Sequence, residues 1–68
     1  MIQTNYKGIE IEMELHQMEH GNWRCDFSLI KHPGGTQAIH YGDLEFATMD
    51  LAEQYALKEA RAAIDRAK

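Results

Sequence analysis

The chain has 68 residues, 11 acidic and 7 basic side chains and a formal net charge of -4. One short domain is expected, and a domain this small buries only about 60% of its unfolded surface. The acidic balance argues against nonspecific nucleic-acid binding, which needs a basic footprint, and one cysteine excludes an internal disulfide framework.

In chain order, residues 1 to 5 (MIQTN) read as a loose end without a signal pattern. From Ile9 to His16 alternation is strict. Ile9, Ile11, Met13 and Leu15 take one face, and Glu10, Glu12, Glu14 and His16 take the other, which predicts a half-buried strand over about 8–17. A turn is expected over Met18 to Asn22, with Gly21 supplying a positive φ. The second strand, about 23–31, points Trp23, Cys25, Phe27 and Leu29 inward. Lys31 to Gly35 holds the one proline and two adjacent glycines, a loop signal. A third strand is expected over about 36–46, with Leu44 and Phe46 in the core. Ile39 and Tyr41 have the opposite parity, and a bulge at Gly42 would reconcile the two sets.

The helix over about 49–66 has the clearest signal. Thr48 is the expected N-cap, Asp50 and Glu53 follow near the start, and Arg61 and Arg66 lie toward the end. Met49, Ala52, Ala56, Leu57, Ala60, Ala63, Ile64 and Ala67 share one face. Its centre is alanine, so the bulk of the core must come from the sheet. The fold expectation is α+β: a three-stranded antiparallel β-meander packed against one C-terminal α-helix, in the order β-β-β-α. No run of about 18 apolar residues suggests a membrane span. A single thiol and no export signal favour the cytoplasm.

Several short motifs carry a resemblance. Tyr6-Lys7-Gly8-Ile9, Gly21-Asn22-Trp23, Phe46-Ala47-Thr48 with Ala52 and Glu53, and Ile64-Asp65 resemble a group of small uncharacterised bacterial proteins. Those share a Y-K-G-hydrophobic start, a G-x-W strand and an F-x-T helix entry, and the resemblance implies no activity. A more distant architectural likeness is to the N-terminal arm domains of phage integrases, also β-β-β-α, which implies DNA binding through an exposed sheet face. A weaker likeness is to HicB-type antitoxins, whose final strand after the helix is missing here.

Candidate chemistry is sparse. His16, His20, His32, His40 and Cys25 are potential zinc ligands by type, but no C-x-x-C or H-E-x-x-H spacing gathers them. Solvated histidines and a buried core thiol are the expectation, with no catalytic, cofactor or metal site. Pro33-Gly34-Gly35 runs toward a strand rather than a helix and lacks the phosphate-loop lysine. Glu10, Glu12 and Glu14 form an acidic row, with Arg24 or Lys31 expected across from it. The row reads either as a solvated face or, with Arg24, as a docking face for a basic protein partner beside an exposed strand edge. A concave, mostly apolar pocket of ligand-binding size, ~300 Å³ or more, is not expected. Tyr55 and Leu51 flank the apolar stripe of the helix. They read either as a homodimer contact or as partly buried against the N-terminal residues. The functional expectation is a non-enzymatic binding or interaction module; the alternative is an integrase-arm-like DNA-binding domain.

Overall fold

The computed structural model describes residues 2–31 and 34–66. Four strands, not three, precede the helix: β1 (Ile2–Tyr6), β2 (Ile9–Gln17), β3 (Trp23–Lys31) and β4 (Gly35–His40), followed by α1 (Met49–Arg66). They form one antiparallel sheet in the order β1-β2-β3-β4. The α+β class and the meander hold, and the strand count is corrected.

The expected loose end is β1. Ile2, Thr4 and Tyr6 are half-buried while Gln3 and Asn5 are exposed, so this short segment keeps the period of two. Lys7 and Gly8 close the hairpin with φ of 52° and 81°. Two consecutive positive values define a type I′ turn, whose twist matches that of the flanking strands. The turn over Met18 to Asn22 forms as expected, with Gly21 at φ 97° and the Met18 N–H donating to the Asn22 carbonyl at 2.7 Å.

The third predicted strand ends early, at His40. Beyond it the chain runs without regular pairing until Phe46, whose N–H and C=O exchange 2.7 Å hydrogen bonds with Trp23. The register shift lies between Leu29 and Ile30, not at Gly42. Parity is resolved by Ala38 packing against the core while Ile39 and Tyr41 stay exposed. Leu44, expected inside, is exposed, and Phe46 is half-buried against the core. The expected loop at Lys31 to Gly35 falls partly outside the described residues, as does Ala67.

The core lies between α1 and the middle strands β2 and β3. Its buried members are Ile11, Met13, Cys25, Phe27 and Leu29 from the sheet and Ala52, Ala56, Ala60 and Ile64 from the helix. Trp23, Ile9 and Leu15 pack at its margin, half-buried. Met49, expected on the buried face, is exposed. Thr48 caps the helix, its Oγ1 accepting the Leu51 N–H at 3.2 Å. Tyr55 packs on Phe46, ring centroids 5.2 Å apart, rather than on the N-terminal residues. Those residues instead meet the other end of the helix: the Tyr6 hydroxyl donates to Asp65 at 3.2 Å and Lys7 Nζ lies 2.6 Å from Asp65 Oδ1.

Candidate functional site

The outer face of the sheet is built by alternation. Glu10, Glu12, Glu14 and His16 point away from the helix on β2; Arg24, Asp26, Ser28 and Ile30 do so on β3. The acidic row does not lie beside a free edge, because β1 pairs along β2 from Tyr6 to Ile2. Gln3 crosses from β1 and donates to Glu12 Oε2 at 2.9 Å. Glu10 and Glu12 are half-buried and Glu14 is exposed.

Arg24 is not across from this row. Its register partner is His16, while Glu14 faces Asp26. Two carboxylates in that position repel each other unless one is neutralised by other groups. Asp26 has those groups. Arg24 Nη1 donates to its Oδ1 at 3.0 Å, the Gly42 N–H donates to the same oxygen at 2.6 Å, and His16 Nε2 lies 3.1 Å from Oδ2. Arg24 Nη1 also donates to the Gly42 carbonyl at 3.2 Å. Arg24 therefore fastens the segment after β4 to β3 rather than standing free for a partner. Gly42 is required at this clamp: a Cβ there would sit 2.5 Å from the Cys25 carbonyl oxygen.

Two residues of this surface escaped assignment from sequence. Ile39 and Tyr41 are 54% and 73% exposed, and they line a shallow hollow of about 200 Å³ together with Glu12, Glu14, Asp26 and Ser28. Their signal was the unresolved parity of the segment after the glycine loop. An exposed isoleucine and tyrosine beside two glutamates form an apolar patch with an acidic border.

The remaining candidates are dispersed. His16 is held at Asp26, His20 pairs with Glu45 near the β2–β3 turn, and His40 stacks on Phe27 with ring centroids 4.6 Å apart. His32 lies outside the described residues. No group of three or more His, Cys, Asp or Glu side chains suited to a metal ion occurs among the described residues. Cys25 is buried, and that burial, with the charges of Asp26 and Glu53, pushes its thiol up to about 11. On the inner side, an open groove of about 500 Å³ runs between Tyr6 and the helix flank at Leu57, Arg61 and Asp65. Its volume is above the size expected of a pocket here, but it is open to solvent and lined also by the polar side chains Gln54 and Lys58. No described helix is long and apolar enough to cross a membrane.

Fold and surface together define a small α+β domain with a four-stranded antiparallel meander, one face covered by a helix and the other open. No family model, curated protein or solved structure matches the chain.

Proposed function

We propose that the protein is a non-enzymatic interaction module whose outer sheet face binds a basic segment of a protein partner. The observation that carries this reading is the exposure of Ile39 and Tyr41 beside Glu12 and Glu14 around one hollow. An arginine or lysine has a matching construction. Its aliphatic stem covers apolar surface while its head reaches a carboxylate, and a cation over the Tyr41 ring adds a further attraction. The acidic row steers such a partner toward the face. Asp26, held by Arg24, His16 and Gly42, supplies a rigid floor. The buried Cys25 with its raised pKa supports a binding role over nucleophilic catalysis.

The test is a titration with a short peptide of alternating arginine and leucine, followed by amide chemical shifts. Perturbations are expected at Glu12, Glu14, Ile39 and Tyr41, weakening as salt rises. Tyr41→Ala and the Glu10→Lys, Glu12→Lys, Glu14→Lys triple variant are each expected to reduce affinity at least about tenfold. Binding that is unchanged in both variants, or perturbations confined to another face, would refute the reading. A duplex DNA titration at low salt separates the integrase-arm alternative. Glu10, Glu12 and Glu14 on the face oppose phosphate while Arg24 is engaged with Asp26, so no submicromolar complex is expected at moderate salt.

A further inference from the structure

Among the described residues, the edge formed by β1 is not protected in the usual ways. Edge strands normally carry lysine, proline, a bulge or a covering element, because their unpaired backbone groups are a template for another strand. β1 reads IQTNY, with no charge and no proline, and pairs with β2 over five consecutive residues without a register shift. The opposite edge differs. β4 carries the shift at Leu29/Ile30, and its chain departs after His40 into the Gly42 clamp.

The direction of the free backbone groups follows from the turn. A two-residue type I′ turn at Lys7-Gly8 makes Tyr6 and Ile9 a hydrogen-bonded pair. Alternation along an antiparallel ladder then makes Thr4 with Ile11 and Ile2 with Met13 hydrogen-bonded pairs. The N–H and C=O groups of Gln3 and Asn5 therefore point outward, away from β2.

We propose that β1 is the seam of a homodimer in which two copies pair antiparallel through Gln3 and Asn5, joining two four-stranded sheets into one. In the register that uses the whole strand, Gln3 of each copy faces Asn5 of the other, Thr4 faces Thr4, and Ile2 faces Tyr6. The two-fold axis stands perpendicular to the sheet, so both helices stay on the same side. Three observations favour a second copy as the occupant. The edge is self-complementary about Thr4, as an isologous contact must be. A chain of net charge -4 repels its own copies, and β1 is an uncharged strip on which they can meet. The groove beside Tyr6 and Leu57 opens over this edge, and Ile2 of the second copy arrives next to Tyr6 on that inner face. The inference is independent of the outer-face reading, since it uses backbone groups and not Glu12, Glu14 or Tyr41.

Sedimentation of the full chain over micromolar to millimolar concentration tests it, read together with hydrogen exchange. A species of twice the 7.8 kDa chain mass is expected, with the Gln3 and Asn5 amides gaining protection as it forms. Asn5→Pro removes an outward N–H and leaves the β1–β2 bonds intact, and it is expected to weaken dimerisation about tenfold or more. Should that variant fail to fold, Thr4→Cys gives a second reading. Residue 4 faces itself across a non-hydrogen-bonded pair with Cα atoms about 4.5 Å apart, within the disulfide range of roughly 4.4–6.8 Å. Oxidation is therefore expected to crosslink it, while Leu51→Cys on the helix stays uncrosslinked. A monomer at every concentration, a dimer whose Gln3 and Asn5 amides exchange freely, or preferential crosslinking through Leu51→Cys would overturn the proposal.

Discussion

A thiol held at about 11 resists ionisation under physiological conditions, and the direction of that shift fixes its effect on stability. Below the ordinary value of 9.0 the Cys25 thiol is protonated in both folded and unfolded chains and contributes no pH dependence. Between about 9 and 11 the unfolded chain loses the proton while the folded chain keeps it, so stability falls as pH rises. Urea midpoints at pH 8 and pH 10.5 are expected to fall more steeply for the wild type than for Cys25→Ala. Equal slopes would show that the thiol is not desolvated. The inward direction of Cys25 was legible from the alternation of β3. The clamp next to it was not. Asp26 and Arg24 meet Gly42 across 16 and 18 residues, and no local period records such a contact. The sequence instead suggested that Arg24 answers the glutamates, because alternation names the face of a residue but not its cross-strand neighbour.

Among the elements, α1 was the most legible, since its cap, charge bias and apolar stripe agree with one another. Thr48 performs the predicted function at the Leu51 N–H. Thr48→Ala is expected to cost about 1 kcal/mol, readable as a lower denaturation midpoint with an unchanged slope. A slope change would mean that the substitution alters the unfolded ensemble or the cooperativity instead. β1 was missed because five residues with three consecutive polar positions, Gln3, Thr4 and Asn5, carry a weak periodic signal, and Gln and Asn read equally well as loop. The decisive cue was the pair Lys7-Gly8, which forms the tight turn of a hairpin. β4 was overextended for a related reason. The apolar residues Leu44 and Phe46 look like strand, yet Gly42 turns the chain to the clamp and only Phe46 regains a partner, at Trp23.

At the scale of the whole molecule, one helix covers the middle of a sheet wider than itself, so β1 and β4 are held mainly from the side. For β1 a further fastening comes from Tyr6 and Lys7 at Asp65, residues 59 and 58 positions apart. Both members of the Lys7–Asp65 pair are more than two-fifths exposed, and an exposed ion pair is worth only about 0–1 kcal/mol. The latch joins the first strand to the last helical turn, the two ends of the described chain, and they are therefore expected to open as one unit. When the latch releases, the first strand and the last helical turn lose their mutual support together, while β2, β3 and the middle of α1 remain closed. Amides of β1 and of the helix end near Ile64 are thus expected to exchange with similar opening energies, and Asp65→Asn to accelerate both. Acceleration at one end alone would show that they open separately. If the two ends do open in concert, anything that gripped the first strand would also quiet the end of the helix that meets it at Tyr6 and Lys7.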